Sequence, residues 1–339
     1  MGHLNRRKFL GSIAATGLGM SMLGKPSFAS HSEKSKDKKI GVIGLDTSHG
    51  PNFTRVINDP DGGPEVSGFT VTAAYPYGSR NIESSYSRIP QYTGEFKEMG
   101  IEIVDSIDQL LDQVDFVLLL TNDGHPRLEQ ALQVMEAGKS MYVDKPVAAS
   151  LRDVIAILDA SEEYNVPIFS SSGLRYIETT QSVRYHNAVG QVLGVDAYSP
   201  AAREETHPDL FWYGIHGVET VFTVLGTGCR EVSRVTTKNA DVVIGKWDNE
   251  IIGTFRGILN GRRGYGGTAF GTDDNLALGP YTGSRMMVHH IIDFFRTGII
   301  PVPLEETLEI YAFMEAADES KRRGGASIPL RQVIARAKS

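Results

Sequence analysis

Two side chains carry the clearest chemical potential in this sequence, a lysine (Lys145) and a histidine (His216). Lys145 belongs to the triplet Asp144-Lys145-Pro146, which follows a short apolar run where a buried strand is expected to end. The carboxyl ends of parallel strands form the edge at which open α/β sheets bind ligands. An ammonium group there could orient a hydroxyl and stabilise an alkoxide, and His216 could exchange the hydroxyl proton near neutral pH. Both residues are therefore candidates for catalysis, although a lysine before a proline is often only a loop residue and a histidine in a helix is often a cap or a core hydrogen bonder.

The stretch "KIGVIGLDTSHGPNF" begins like a nucleotide-binding strand and then departs from that pattern. Gly44 closes the strand, but Asp46 and His49 stand where a dinucleotide-binding loop has its second and third glycines. A carboxylate beside a helix N-terminus would compete with a pyrophosphate for the same N–H donors. Asp46 is therefore predicted to weaken or displace a bound dinucleotide, moving its pyrophosphate towards Thr47 and Ser48.

Composition and charge restrict the possible partners. The chain has 339 residues, of which 41% are hydrophobic and 22% charged, an ordinary globular composition with room for two domains. Its first 29 residues carry four positive side chains and no acids, so their removal takes the formal charge from −7 to −11. Such a surface argues against nucleic acid or an anionic membrane as the partner. The single cysteine, Cys229, excludes an intramolecular disulfide and a thiolate metal cluster.

The N-terminus has the pattern of an export signal. Arg6-Arg7 precedes a moderately apolar run to about Leu23, and Ser27 and Ala29 suit a cleavage site after residue 29. We predict a twin-arginine signal over residues 1–29, a linker over 30–38 and an extracytoplasmic, periplasmic protein without membrane insertion after processing. Because this route exports folded proteins, it suits a cofactor that is loaded in the cytoplasm.

The remaining chain divides into two patterns of secondary structure. Residues 39–172 alternate apolar strands with helices, which predicts a Rossmann-like, doubly wound parallel sheet. Residues 173–339 contain a series of strands, including a hairpin turning at Asp248-Asn249, with helices at 215–225 and 286–297 and a final long helix. This half is predicted to be an α+β domain with a mostly antiparallel sheet.

The segment "GKSMYVDKPVAASLRDVIAILDASEEYNVPIF" resembles the central signature of the glucose-fructose oxidoreductase/inositol dehydrogenase (Gfo/Idh/MocA) family, in which an acid-Lys-Pro triplet closes a Rossmann strand. "HPRLEQALQVMEAGK" resembles the preceding helix, and "YGIHGVETVFTVLG" is similar to a D-x-G-x-H-x-x-D helix of its second domain. The resemblance extends from residue 39 to about 325. It implies an oxidoreductase that acts on a sugar or polyol with NADP or NAD, and a homo-oligomer.

The resemblance and the predicted strand ends together assign residues to a dinucleotide and to a carbohydrate. The predicted dinucleotide contacts are Gly44, Leu45, Thr47, Ser48, His49, Ser79, Arg80, Thr121, Asn122, His125, Asp144 and Lys145. The predicted substrate contacts are Arg175, Trp212, Tyr213 and Glu219.

Two departures from the family pattern affect these assignments. Trp212 replaces an aspartate four residues before the histidine, so Tyr213, Asp209 or Glu219 could take over its role. The second strand ends in "YPYGSRN" without an acid for ribose hydroxyls, and Ser79-Arg80 resembles a 2′-phosphate pocket. NADP is therefore predicted to fit better than NAD.

Alternatives to this interpretation stay open at the level of sequence. No metal is predicted, although Asp46 with His49 has suitable ligand types, as do His207, Asp209, His216 and Glu219 together. Because free NADP is scarce outside the cytoplasm, a tightly held cofactor recycled in each turnover is favoured, as in a two-substrate oxidoreductase or a redox-neutral cycle. A non-redox carbohydrate lyase or hydrolase, or a carbohydrate-binding protein that has lost the dinucleotide, would also explain the altered loop.

Overall fold

The computed structural model describes residues 37–339, which form two β-sheets and their connecting helices. The predicted signal, residues 1–29, and all but the last two residues of the predicted linker lie outside the described residues. No helix within residues 37–339 combines the length and apolar character needed to cross a bilayer.

The first sheet has six strands, all parallel to their neighbours, in the order β3-β2-β1-β4-β5-β6. Its strands are β1 (Lys38–Ile43), β2 (Phe69–Tyr75), β3 (Glu102–Ile103), β4 (Phe116–Leu119), β5 (Met141–Val143) and β6 (Ile168–Phe169). Its connecting helices are α1 (His49–Ile57), α2 (Glu83–Tyr86), α3 (Ile89–Glu98), α4 (Ile107–Leu111), α5 (Arg127–Glu136) and α6 (Leu151–Glu163). The connections run to opposite sides of β1, which creates a crevice at the carboxyl ends of β1 and β4.

The second sheet has seven strands in the order β12-β11-β7-β10-β9-β8-β13. Its strands are β7 (Val192–Pro200), β8 (Cys229–Thr236), β9 (Ala240–Trp247), β10 (Ile252–Ile258), β11 (Gly266–Gly271), β12 (Asn275–Leu278) and β13 (Ile328–Pro329). Only the β7–β10 pair within it is parallel. The accompanying helices are α7 (Glu178–His186), α8 (Ile215–Leu225), α9 (Arg285–Thr297), α10 (Leu304–Arg322) and α11 (Leu330–Lys338), with a 3₁₀ turn over Gly173–Tyr176. The predicted fold class, a parallel Rossmann-like sheet followed by a mostly antiparallel one, is confirmed.

Helix α9 contributes to the core of the first sheet although it follows the second sheet in sequence. Phe294 packs against Phe169 of β6 with ring centroids 5.0 Å apart, and Phe295 stacks on Phe116 of β4 at 4.7 Å. The sequence predicts this helix but not its position. The two halves therefore share a core, while the predicted boundary at residue 172 stays a prediction.

Helices α8 and α10 cover one face of the second sheet. Phe222 of α8 and Phe313 of α10 pack with their rings 5.6 Å apart beside Trp247 of β9. The Tyr311 hydroxyl of α10 accepts a hydrogen bond from the Val147 N–H at 2.7 Å, just after the acid-Lys-Pro triplet. This bond ties the second half of the chain to the edge of the first sheet.

Candidate active site

Lys145 lies directly after β5 at the carboxyl edge of the parallel sheet and is 9% exposed. Its Nζ is 5.7 Å from the centroid of the Tyr213 ring and makes no hydrogen bond or ion pair with residues 37–339. Burial lowers the pKa of Lys145; Asp144 opposes this effect and Arg127 adds to it. A nearly buried amino group without a partner is available to a ligand.

His216 is the second residue of helix α8 and lies close to Lys145. Its Nδ1 is 2.7 Å from the Ser172 Oγ, and its ring meets the Tyr213 ring edge-on with centroids 4.9 Å apart. Burial lowers the pKa of His216 well below its usual value, and the positive charges of Lys145 and His49 lower it further. The imidazole is therefore neutral near pH 7, and its second nitrogen can exchange a proton with a ligand.

A second histidine, His49, pairs with the acid of the acid-Lys-Pro triplet. The His49 Nδ1 is 2.7 Å from the Asp144 Oδ2, and the other carboxylate oxygen accepts from the Tyr142 hydroxyl at 3.2 Å. Burial opposes ionisation of Asp144, but His49, Lys145 and Arg127 hold the pKa of this carboxyl well below its usual value. The sequence assigns His49 to the dinucleotide loop and gives no sign of this pair, because the partners are 95 positions apart.

Three tyrosines form an aromatic wall on the side of the second sheet. The Tyr213 and Tyr265 hydroxyls are 3.0 Å apart, and the Tyr265 and Tyr281 rings are 5.8 Å apart at a steep angle. Burial raises the pKa of both Tyr265 and Tyr281, so both stay phenols at neutral pH. Of the three, only Tyr213 is predicted from sequence, since the other two follow glycine-rich turns.

Asp46 is fully buried and connects the ends of three strands. Its Oδ2 accepts from the Ser79 N–H at 2.9 Å and the Ser79 hydroxyl at 2.5 Å, and its Oδ1 accepts from the Asn122 N–H at 3.0 Å. None of these donors belongs to helix α1. The predicted competition between Asp46 and a pyrophosphate for the α1 N–H groups is therefore wrong, because the carboxylate already bonds to the loops after β2 and β4.

The same junction explains two glycines. Gly44 has φ +91°, and a Cβ there would lie 2.5 Å from the Thr121 backbone nitrogen. A Cβ on Gly78 would lie 2.6 Å from the Thr121 Cγ2. The loops that leave β1, β2 and β4 are therefore packed too closely for any side chain at either position. Of the predicted dinucleotide contacts, Gly44, Ser79, Thr121 and Asn122 all belong to this junction.

An open cleft of about 460 Å³ adjoins this junction at the ends of β2, β3 and β4. Arg80 and His125, two of the predicted dinucleotide contacts, line it with Tyr77. Acidic side chains face them, namely Asp105, Asp108, Asp123 and Glu129. The volume lies in the range of small-molecule sites. The acidic groups follow β3 and β4, not β2, whose end carries the ribose-binding acid of a dinucleotide-binding sheet.

Arg127 of helix α5 is fully buried beneath the acid-Lys-Pro triplet. Its Nε donates to the Thr121 carbonyl at 2.7 Å, and its other nitrogens donate to the carbonyls of Thr121 and Asp144. The guanidinium thus joins the end of β4 to the end of β5, which fixes the backbone that carries Lys145. The sequence gives no sign of this role, since an arginine in an amphipathic helix normally faces solvent.

Behind His216, Arg175 and Glu219 form a buried ion pair. The Glu219 Oε1 accepts from the Arg175 Nε at 2.7 Å and from the Ser171 hydroxyl at 2.8 Å. Arg175 also pairs with Glu306 at 2.7 Å. This network supports the loop that carries Ser172. The two predicted substrate contacts in it, Arg175 and Glu219, thus bond to other residues of the protein. Their contact with a substrate stays a prediction, as does that of Trp212, which packs on His207 at 5.0 Å.

The two metal-ligand sets considered from sequence are not assembled. Asp46 and His49 bond to different partners, as described above. Within the second set, Asp209 pairs with Arg234 at 2.8 Å and with Lys321 at 2.7 Å. His216 instead bonds to Ser172. His207 lies instead beside Asp123 and His125, and the possible ligand atoms of these three residues are all within 4.8 Å of one another. The His207 Nε2 accepts the Gly124 N–H at 3.0 Å, so that lone pair is already used.

Fold and site define the class of this protein, a Rossmann-type α/β protein with a second, mostly antiparallel sheet and a polar crevice at the parallel strand ends. Residues 38–172 match the model of the Gfo/Idh/MocA oxidoreductase family, described as having an NAD-binding Rossmann fold. An uncharacterized oxidoreductase of Streptococcus pneumoniae is 28% identical over 125 residues, which cover 34% of this chain and 32% of that protein. The chain thus matches about a third of this curated relative.

Solved structures of two dehydrogenases share the fold over most of the chain. The myo-inositol 2-dehydrogenase of Lactobacillus plantarum has a TM-score of 0.72 and 14% identity, covering 87% of this chain and 99% of its own. The scyllo-inositol dehydrogenase of Lactobacillus casei, solved with NAD(H) and scyllo-inositol, has a TM-score of 0.70 and 13% identity, covering 87% of this chain and 100% of its own.

Proposed function

We propose that the whole chain is a member of the Gfo/Idh/MocA family and an oxidoreductase that acts on a CH–OH group of a sugar or polyol with NADP or NAD. The match of residues 38–172 to the NAD-binding family model supports this proposal. The observation that carries it is the convergence of Lys145 and His216 around Tyr213 at the carboxyl edge of the parallel sheet. A lysine that has no partner within residues 37–339 and a neutral histidine are the groups that oxidation of an alcohol requires.

Each of these residues has a role in this chemistry. The Lys145 ammonium donates to the oxygen of the reacting hydroxyl and stabilises negative charge that develops there. His216 takes the hydroxyl proton in the oxidising direction and returns it in the reverse one. Tyr213 and Tyr265 offer ring faces and hydroxyls to the sugar. A bound nicotinamide supplies the hydride acceptor.

The dinucleotide is proposed to bind with its adenosine in the cleft lined by Tyr77 and Arg80. Arg80 favours a 2′-phosphate and hence NADP, whereas Asp105 and Asp108, which line the same cleft, disfavour a phosphate and hence favour NAD. The Ser79 hydroxyl, the other half of the predicted phosphate pocket, already donates to Asp46. Calorimetric titration with NADP and with NAD, compared between the wild type and Arg80→Ala, separates these two possibilities.

The proposed export by the twin-arginine route has a consequence for the catalytic cycle. A protein that carries its dinucleotide out of the cytoplasm must regenerate it in place, which favours a two-substrate or a redox-neutral reaction.

The outer face of the second sheet, where Tyr198 and Ile244 are exposed, is where we place a homo-oligomer contact. The partner in the crevice is a small-molecule carbohydrate.

A second candidate, a non-redox carbohydrate lyase or hydrolase, is favoured by the junction around Asp46. Its hydrogen bonds to Ser79 and Asn122 fill the region in which a glycine loop would approach a pyrophosphate. This candidate keeps Lys145 and His216 but dispenses with the hydride step.

Reduction of a nicotinamide by a polyol tests the proposal. The full chain is mixed with NADP or NAD and with myo-inositol, scyllo-inositol or glucose, and the reduced nicotinamide is followed by absorbance. Reduction that depends on one polyol and is lost in His216→Ala supports the oxidoreductase. Binding of a carbohydrate without any reduction, and without any bound dinucleotide, would contradict it and favour the second candidate.

A further inference from the structure

The crevice contains a second histidine that oxidation of an alcohol does not require. His49 begins helix α1 on the side of the first sheet, whereas His216 begins helix α8 on the side of the second. The His49 Nδ1 lies 2.7 Å from the Asp144 Oδ2, and Asp144 directly precedes Lys145, so His49 lies at the strand end that carries Lys145. Burial and the positive charge of Lys145 both lower the pKa of His216.

His49 is held as a proton-transferring histidine usually is. Its Nδ1 is 2.7 Å from the buried Asp144 carboxylate, and its ring stacks on Phe53 with centroids 4.7 Å apart and planes 19° apart. An ionised Asp144 accepts from Nδ1–H, which leaves Nε2 with the lone pair and stabilises the imidazolium formed when Nε2 takes a proton. The His49 side chain is 21% exposed, and Nε2 makes no hydrogen bond with residues 37–339.

We propose that His49 is a second proton-transferring group, which removes and returns a proton on the carbon next to a keto group of the bound sugar. The inference rests on the proposed function in one respect, that the crevice binds the keto form of a sugar or polyol. It adds an activity, enolisation, and with it the class of overall reaction, an elimination or epimerisation next to the oxidised carbon.

The step is balanced without an oxidant or reductant. The C–H bond next to the carbonyl breaks, its proton passes to the His49 Nε2, and its electron pair forms the C=C bond of an enolate. The carbonyl oxygen takes the negative charge, and the Lys145 ammonium stabilises it. Return of the proton regenerates the ketone. In an elimination, the C–O bond on the second carbon from the carbonyl breaks as the enolate returns to a carbonyl, the C=C bond forms between the first and second carbons, and the departing oxygen takes the proton held on the His49 Nε2 and leaves as water or an alcohol.

Exchange of carbon-bound hydrogen with solvent tests the proposal directly. The full chain is incubated in D₂O with scyllo-inosose, the monoketone of scyllo-inositol, and deuterium next to the keto group is followed by NMR. We expect the wild type to catalyse exchange and His49→Gln to lose about 100-fold or more of the rate, the usual contribution of a general base. His49→Ala should regain exchange when imidazole is added to the solution, which a purely structural role would not allow.

His290→Gln is the matched control. His290 is also partly buried and stacks on an aromatic ring, that of Tyr176, with centroids 4.4 Å apart, but it has no place in the crevice chemistry. This variant should exchange at the wild-type rate. Equal exchange rates in His49→Gln and the wild type, or no exchange by the wild type, would overturn the inference.

Dinucleotide binding and polyol oxidation, measured on the same variants, separate this inference from the proposed function. Oxidation without enolisation refutes the role of His49 alone. Enolisation without a bound dinucleotide refutes the oxidoreductase alone. If His49→Gln instead loses dinucleotide affinity and keeps exchange, His49 is a phosphate contact and the inference is wrong.

Discussion

Asp46 and Ser79 are joined by two hydrogen bonds, from the Ser79 N–H at 2.9 Å and from its hydroxyl at 2.5 Å, in an environment closed to solvent. These bonds attach the loop after β1 to the loop after β2, and the Asn122 N–H attaches the loop after β4 to the same carboxylate. The residue that replaces a glycine of the dinucleotide pattern is therefore an internal acceptor of the fold.

Replacement of this acceptor should destabilise the protein. Asp46→Asn keeps one carbonyl oxygen but turns an NH₂ group towards buried donors. We expect a loss of about 1–3 kcal/mol in the free energy of unfolding, measured by urea denaturation, and weaker rather than tighter dinucleotide binding. Asp61→Asn, at an exposed aspartate, is the matched control and should leave both quantities unchanged. Unaltered stability together with tighter binding in Asp46→Asn would restore the competition inferred from sequence.

Lys145→Ala should abolish turnover and leave the fold intact. Loss of one donor to a developing oxyanion typically costs about 100- to 1,000-fold in rate. The free energy of unfolding should not fall, because the variant removes a nearly buried charge that has no partner among the described residues. Lys97→Ala, at an exposed lysine, controls for a general effect of lost charge. Turnover within about twofold of the wild type would make the acid-Lys-Pro triplet purely structural.

Stability should fall as the solution is acidified, in part because of His207. Burial lowers the pKa of this histidine from 6.5 to about 4. Between these values the unfolded chain binds a proton that the folded protein does not, so the free energy of unfolding decreases as pH falls from about 6.5 to about 4. His207→Gln should show a shallower decrease over this interval in urea titrations at a series of pH values. An identical slope in the two proteins would show that His207 titrates normally.

The predicted export signal lies outside the residues that the structure describes. Replacement of Arg6 and Arg7 by lysine should leave full-length precursor in the cytoplasm, because the twin-arginine route reads the arginine pair itself. Cell fractionation with an antibody against the chain measures the outcome. Unimpaired export of the double variant would contradict the predicted route, and replacement of Lys8 and Lys25 by arginine provides a control at equal charge.

Regular elements were largely predictable because their patterns are local. Helix α8 has the bounds that its sequence predicts, residues 215–225. Lys145 was predictable for a similar reason, since a polar triplet directly after an apolar run falls at the edge of a parallel sheet. Short elements with weak periodicity, such as α2 and β3, gave no comparable signal.

Contacts between distant segments were not predictable in this way. The pairing of His49 with Asp144, the burial of Asp46 against Ser79 and the packing of α9 on the first sheet all depend on which strand ends become neighbours. Sequence spacing identifies each residue type but not its partner. The partners of Asp46 and His49 cannot be read from the sequence. From sequence alone, these two residues therefore indicate only that the second and third glycines of a dinucleotide-binding loop are absent.

We propose that this chain carries a nicotinamide dinucleotide in its Rossmann crevice. Mass spectrometry of the small molecules and metals that the full chain, purified from the cytoplasm, releases on denaturation tests this directly. We expect about one NADP(H) or NAD(H) per chain, and a strongly reduced amount in a variant that obstructs the crowded strand ends, Gly44→Val. Release of a metal ion, or of no ligand at all, from a protein that binds carbohydrate would contradict it.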